Sequence, residues 1–261
     1  KLKKILADTM SEFKKYGRFY SALNAQKNYS LEVDIIIKLV DMYGGDVQSV
    51  ADLGCGTGGH LSLLVNKMGA STGVGVDISE SMLREASNHH KNNHKLSFFC
   101  EDITSFECND KFDLVTSLFH VVSYITDYGN LEQFFQRVSV LLETEGLFVF
   151  DYWSTSGVIT NGVSKTKRTA EVDGSVVTRK ASSEIRHLDN IVDVKFDFEI
   201  SKEGELVDAF QEVHSMRYYS PAELIYFANL AGLVHITSFD SMSIGELSNK
   251  AWASMSVFRK K

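Results

Sequence analysis

Residues 49–59 read Ser49-Val50-Ala51-Asp52-Leu53-Gly54-Cys55-Gly56-Thr57-Gly58-Gly59, a short, largely apolar run that passes directly into a cluster of glycines. A run of this length suits a buried strand, and the glycines supply the positive backbone dihedrals and close ligand approach that side chains would obstruct. Beyond them Leu61, Leu64, Val65 and Met68 fall at helical spacing, and Val74-Gly75-Val76-Asp77 supplies a second strand. Strand, glycine turn, helix and strand make the opening βαβ unit of a doubly wound sheet. Upstream, Val33, Ile36, Ile37 and Val40 form an i, i+3, i+4, i+7 stripe that Gly44-Gly45 breaks, which predicts a helix over 31–43 leading into the first strand.

The units continue downstream. Ser97–Cys100, Phe112–Ser117 and Leu147–Phe150 read as strands three, four and five, and Leu131, Phe134, Phe135 and Val138 as the face of a helix that Asn130 and Gln133 cap as a box. Ser220 and Glu223 predict a second box with Pro221 at the first helical position, Gly232 a stop, and strands near 233–240 and 251–258 close the sheet. Between about 156 and 215 the pattern changes to period two: Val192, Val194, Phe196, Phe198 and Ile200 alternate with polar residues before the turn Lys202-Glu203-Gly204-Glu205. The expected fold is therefore α/β, a Rossmann-like doubly wound mixed sheet with helices on both faces and an inserted antiparallel β subdomain over the carboxyl ends of the main strands. Residues 1–30 form an N-terminal helical segment, 31–155 the core, 156–215 the insertion and 216–261 the completion of the core.

Composition limits the partners. The 27 Lys and Arg against 34 Asp and Glu leave a net charge of −7, a field that repels a phosphate backbone, so nucleic acid is not expected as a partner. No segment approaches 18 uncharged apolar residues, and the start of the sequence lacks a secretory pattern, which gives the expectation of a cytoplasmic protein without a membrane partner, monomer or homodimer. Cys55, Cys100 and Cys108 form no CxxC pair, so neither a disulfide nor a zinc site is expected. The 17 Phe and 10 Tyr exceed what packing usually needs, and some are expected to line a cleft.

The glycine turn alone leaves its ligand open. Gly54, Gly56 and Gly59 satisfy GxGxxG, as a nicotinamide or flavin dinucleotide requires, while Gly54, Gly56 and Gly58 satisfy GxGxG, and Asp77 at the end of strand two suits ribose hydroxyls in either case. A non-catalytic nucleotide-binding protein is a further alternative. The whole series Asp52-Leu53-Gly54-Cys55-Gly56-Thr57-Gly58, Asp77, Glu101-Asp102-Ile103 and Phe112–Phe119 resembles class I S-adenosylmethionine-dependent methyltransferases over roughly residues 30–155. The resemblance implies that the turn holds the methionine portion of S-adenosylmethionine, Asp77 the ribose, and Asp102 with Ile103 the adenine. Asp52 orients the loop or the methionyl amine, and Ile78 and Ser117 complete the expected cofactor set. The bottom-up chemistry agrees: Asp102 can accept from the adenine amine, and a negative Asp52 complements the cofactor's positive charges.

Four further stretches, 13–20, 117–124, 150–153 and 214–221, are similar to the small-molecule branch that includes sugar N-methyltransferases, members of which dimethylate nucleotide-linked deoxyaminosugars. Where those relatives often continue Trp-Tyr-Gly-Pro, this chain has Trp153-Ser154-Thr155-Ser156. The expected acceptor is a small molecule, a nucleotide-linked aminosugar, with another small amine, carboxylate or hydroxyl compound as the alternative. Methyl transfer to an amine needs its neutral form, and His120, just beyond strand four, is the preferred general base, with His214 second. Arg217 suits a substrate phosphate or a salt bridge, and Tyr16, Tyr20, Tyr124, Tyr152 and Trp153 are candidate substrate-side aromatics. His89 and His90 are adjacent on a predicted helix and point apart, so no metal site is expected.

Overall fold

The computed structural model describes residues 17–25, 27–241, 247–248 and 250–261. The chain runs α1 (Gly17–Leu23), α2 (Tyr29–Tyr43), β1 (Ser49–Leu53), α3 (Gly59–Met68), β2 (Thr72–Asp77), α4 (Glu80–His89), β3 (Leu96–Cys100) and β4 (Phe112–Ser117), then a 3₁₀ turn at Val121–Tyr124. It continues through α5 (Tyr128–Leu141), β5 (Leu142–Trp153), α6 (Thr155–Asn161), β6 (Thr166–Val172), β7 (Ser175–Arg186), β8 (Ile191–Lys202), β9 (Glu205–Arg217), α7 (Pro221–Leu230), β10 (Leu233–Asp240) and β11 (Ala253–Lys260).

One sheet has the order β10-β11-β5-β4-β1-β2-β3. β1 pairs in parallel with β2 and β4, and β11 runs antiparallel to both its neighbours. Successive side chains on a strand point to opposite faces, so near-continuous apolar strands build two cores at once. Ala51, Leu53, Val115, Phe148, Phe150 and Phe258 pack under α5 and α7, through Leu131, Phe134, Phe135, Leu224 and Ala228. Their neighbours Val50, Leu114, Val149 and Val257 pack on the other face against α2 and α3, through Val33, Ile36, Leu61 and Leu64. The expected mixed sheet with helices on both faces is the observed fold.

The insertion is a second, four-stranded antiparallel sheet, β6-β7-β8-β9. Val177, Phe198 and Ile200 on one of its faces cover Phe19 and Leu23 of α1, and Arg168 of β6 donates to Asn24 Oδ1 at 2.5 Å beyond the end of that helix. The sheet joins the core at the carboxyl ends of β4 and β5. Tyr124 of the 3₁₀ turn contacts His214 of β9 through a 3.0 Å hydrogen bond, and Tyr219 N–H donates to the Trp153 carbonyl at 2.8 Å. α1 and the insertion thus form one cover.

Two local readings differ from expectation. α5 starts earlier than Asn130 and Gln133 imply: Asp127 is its N-cap and accepts from Asn130 N–H at 3.1 Å, because the carboxylate three residues upstream reaches the free donors first. β5 spans 142–153, longer than its apolar centre, since pairing with β11 extends it to Trp153. The Ser220–Glu223 box on α7 is present in both directions, with Pro221 in its first turn. Ser220→Ala should lower the unfolding free energy by about 0.5–2 kcal/mol in urea titration, whereas an unchanged midpoint would mean that Ile225 and Leu224 packing alone fixes the start of α7.

Candidate active site

The glycine turn leaves β1 folded back over β2. Gly54 and Cys55 N–H both donate to the Val76 carbonyl, at 2.7 and 3.0 Å, and Gly56 N–H donates to Asp77 Oδ2 at 2.8 Å. Asp77 Oδ1 accepts from Ser79 N–H at 2.8 Å, so the aspartate ties the turn to the start of α4 and keeps a lone pair on each oxygen for a ligand. Gly54 has φ +82°, and a Cβ there would sit 2.5 Å from both methyls of Val121. Gly56 has φ +54° and nothing within 4 Å of where its Cβ would be, so the backbone presents an open cradle there.

Asp52 lies beneath the cradle, 1% exposed, with one oxygen accepting from Thr116 Oγ at 2.8 Å. Asp102 follows β3 and accepts the Thr104 N–H and hydroxyl on the same oxygen, Oδ1, each at 2.8 Å, while Ile103 is half-buried against the core beside it. Burial raises the pKa of both Asp52 and Asp77. Ile78 follows Asp77 at the mouth of the turn and its carbonyl accepts from the Cys100 thiol at 3.7 Å. The structure therefore brings Asp52, Gly54, Gly56, Gly58, Asp77 and Ile78 together around one turn, with Asp102 and Ile103 at the end of the neighbouring strand. Ser117 is placed otherwise: it is fully buried and its hydroxyl donates to the Leu53 carbonyl at 2.8 Å, pinning β4 to β1.

A cavity of about 470 Å³ opens at the exits of β4 and β5, lined by Glu32, Phe119, His120, Asp151, Asp240 and Trp252 among others. Phe119 and His120 leave β4 with φ of 69° and 65°, two successive non-glycine residues in the left-handed region. Asp151 of β5 holds this turn: its Oδ1 accepts His120 N–H at 2.8 Å, and its Oδ2 lies 2.9 Å from His120 Nδ1. The second distance is that of a hydrogen bond, but the carboxylate lies off the ring N–H direction, so Nδ1 is left without a linear hydrogen bond. Burial pushes the Asp151 carboxyl up, and the facing His120 and the Lys27 ammonium outweigh it and hold the carboxyl below its usual range.

The aromatic candidates separate into two groups. Trp153 is half-buried with its ring 6.2 Å from His120 and 5.3 Å from Trp252, and Tyr20 meets Phe119 edge-on at 6.3 Å. Tyr124 is spent on His214. Tyr152 is fully buried in the sheet core, its hydroxyl beside Ser256 and its pKa pushed up to about 12 by burial, so it packs and does not reach the cleft. Tyr16 lies outside the described residues.

His214 and Arg217 also differ from expectation. His214 is 0% exposed, with Nδ1 3.0 Å from Tyr124 Oη of the 3₁₀ turn and Nε2 3.2 Å from Glu212 Oε2 of the insertion, which commits both ring nitrogens within the protein. Arg217 donates to the Thr126 carbonyl at 2.8 Å and stacks over Tyr128 at 4.1 Å, so one arm of its fork clamps the segment before α5, while its buried Nε has no partner among the described residues. Sequence reading missed Asp151, Glu32 and Lys27. Asp151 carried a signal, a charge inside the apolar run Leu147–Trp153, whereas Glu32 and Lys27 read as ordinary helix-end charges.

Comparison with known proteins agrees with this geometry: residues 50–146 match the methyltransferase domain family. Residues 50–146 thus form a methyltransferase domain, with S-adenosylmethionine as its cofactor. It is 30% identical to a putative methyltransferase of Geobacillus over 55% of this chain and 58% of that protein, a match that spans less than two thirds of the relative. It is 28% identical to the dTDP-3-amino-3,4,6-trideoxy-alpha-D-glucopyranose N,N-dimethyltransferase of Streptomyces venezuelae over 84% of this chain and 88% of that one. Among solved structures, the sugar N-methyltransferase from Streptoalloteichus superposes with a TM-score of 0.78 at 19% identity, covering 95% of this chain and 94% of the other. No helix among the described residues of this methyltransferase is long and apolar enough to cross a membrane.

Two glycines test the cradle in opposite ways. Gly54→Ala should cost roughly 2–5 kcal/mol of stability from backbone strain plus overpacking on Val121. Gly56→Ala should cost only about 1–2 kcal/mol, the strain alone, yet its methyl protrudes into the ligand side, so its loss of S-adenosylhomocysteine affinity should exceed its loss of stability. Urea unfolding and calorimetry separate the two, and an unaffected affinity in Gly56→Ala would remove the turn from the binding surface. Asp151 gives a pH test. Because its folded pKa is depressed, its contribution is present above the unfolded value of about 3.9 and is lost as pH falls through the lower folded value. Wild type should therefore lose more stability than Asp151→Asn between about pH 5 and pH 3; equal losses would mean that His120 does not hold the carboxylate.

Proposed function

We propose that this methyltransferase transfers a methyl group to the amine of a small molecule, a nucleotide-linked deoxyaminosugar, with His120 as general base and Asp151 holding its charge. The observation that carries the reading is the His120–Asp151 pair, 2.9 Å apart, on the wall of the cavity at the exits of β4 and β5. S-adenosylmethionine, when bound on that turn, supplies an electrophilic methyl on a sulfonium sulfur. A protonated amine has no lone pair for that methyl, so a group in the cavity must take its proton. His120 is suited to this because Asp151 fixes its backbone N–H and lies 2.9 Å from Nδ1, which leaves Nε2 to meet the amine. The imidazolium formed would be stabilised by the same carboxylate.

The lining supports an amine over other acceptors. Glu32, Asp151 and Asp240 bring three carboxylates to the wall, while Phe119 and Trp252 offer ring faces to an apolar sugar edge. Glu32 and Asp151 already face Lys27, His60 and His120, so it is Asp240 on this wall that offers a carboxylate to the substrate's ammonium. The Streptomyces venezuelae relative is named for an aminosugar nucleotide, which supports this acceptor class. The acidic wall equally favours an amine on a non-nucleotide body, and a matched panel separates the two.

Mass-spectrometric assay of nucleotide-linked aminosugars, the matched deoxysugars and generic amines should give methylated product from the first group only. Product from the hydroxyl compounds alone would overturn N-methylation. With saturating substrates, His120→Asn should lower turnover by about 10²–10⁴-fold and remove the acidic limb of the pH profile, with S-adenosylhomocysteine affinity retained. Unchanged turnover and profile in the folded variant would exclude the base role.

A further inference from the structure

Lys27 stands on the link between α1 and α2, and its side chain is 7% exposed. An ammonium has three donors and no acceptor, and a buried one is normally fully used. Here it faces a single carboxylate oxygen, Glu32 Oε2, at 3.5 Å, and that oxygen is already engaged by His60 Nε2 at 2.5 Å. Among the described residues it also faces two rings, Phe119 with its centroid 3.5 Å away and Tyr29 at 4.5 Å. Burial lowers the lysine pKa, opposed by Glu32, Asp151 and Asp52. The geometry is thus that of a desolvated cation with donors left over.

Its position says what those donors are for. Its carboxylate partner Glu32 and the Phe119 ring it stands over both line the cavity, so the ammonium lies against the cavity wall, and Phe119 is two residues from Val121, the residue set on Gly54 of the turn. A cofactor whose adenine lies toward Asp102 and whose methyl faces His120 must lay its amino-acid end in this region, and that end carries a carboxylate. None of the cradle side chains can pair with an anion: Asp52, Asp77 and Asp102 are acceptors when ionised.

We propose that Lys27 holds the α-carboxylate of the cofactor's methionyl group, and that Glu32, fixed by His60, positions the lysine. The proposal rests on the turn being the S-adenosylmethionine cradle. It makes Lys27 a binding residue and gives the link between α1 and α2 a direct part in cofactor recognition, so that loading the cofactor fastens the cover to the core.

Calorimetry with three ligands tests it: S-adenosylhomocysteine, its decarboxylated analogue, and 5′-methylthioadenosine, which lacks the whole amino-acid end. On wild type the decarboxylated analogue should bind at least about 10-fold more weakly than S-adenosylhomocysteine, as expected for loss of one charge-assisted hydrogen bond. Lys27→Met should weaken S-adenosylhomocysteine by about 10- to 100-fold, bind the decarboxylated analogue as wild type does, and leave 5′-methylthioadenosine within about twofold. Lys27→Arg should recover part of the loss. An equal loss for all three ligands would make Lys27 a structural residue and overturn the proposal, as would no preference for the carboxylate in wild type, a measurement that needs no variant to fold. Wild type that binds 5′-methylthioadenosine but shows no such preference would spare the cofactor reading, whereas wild type that binds none of the three would overturn that reading first.

Discussion

The carboxylate of Asp151 holds two successive residues in a backbone region that side chains disfavour, and the site is arranged around that turn. Phe119 and His120 both have positive φ, a strain of order 1–3 kcal/mol each that persists only where surroundings over-determine it. Asp151 supplies the restraint by accepting the His120 backbone N–H and facing its ring. Because β4 exits in this way, the 3₁₀ turn swings back and sets Val121 on Gly54, which is why that glycine has no room for a side chain. The same exit turns Phe119 toward Lys27 and His120 toward the cavity. A single buried acid on β5 therefore aligns the base candidate, the ring under the lysine and the lid of the glycine turn.

The core was legible because its determinants are local or periodic. β1, the glycine turn, α3 and β2 follow one another in sequence, and an apolar strand buried on both faces needs no knowledge of its partners. The site was legible only in part, for a physical reason that Ser117, Tyr152, Arg217 and His214 share. Each is a polar or aromatic group at a strand end, as a ligand contact would be, but a donor or acceptor of each is met by a residue far away in sequence: Leu53, Ser256, Thr126 and Tyr124. Such satisfaction is a property of the folded neighbourhood, and residue type and position do not reveal it. Lys27 is the reverse case. A lysine ahead of a helix reads as solvated, and the strand-four exit that sets the Phe119 ring against it is a property of the fold that the local sequence does not reveal.

The cover explains why the insertion belongs to the site. Alternation along β8 puts Phe198 and Ile200 on the face that receives Phe19 and Leu23, so the second sheet and α1 need each other's apolar surface. The sheet is then fastened to the core by Tyr124–His214 and by the Tyr219–Trp153 hydrogen bond, both at the exits of β4 and β5. His214 in this setting is a fastener: Nδ1 holds the 3₁₀ turn to the second sheet through Tyr124, and Nε2 is anchored by Glu212 on its own strand.

The buried carboxylates divide the site by charge. Asp52 and Asp77 both have pKa values raised by burial, so each is an acid whose negative charge the fold does not fully compensate. Asp151, buried as deeply, has its pKa lowered because His120 and Lys27 are already in place. On the cofactor side the compensation must come from the ligand, and a ligand carrying an ammonium and a sulfonium supplies it at that spot. On the cavity side it comes from the protein, through His120 and Lys27. The carboxylates under and beside the glycine turn therefore favour a cationic ligand, whereas the one on the cavity wall is already matched from within the fold.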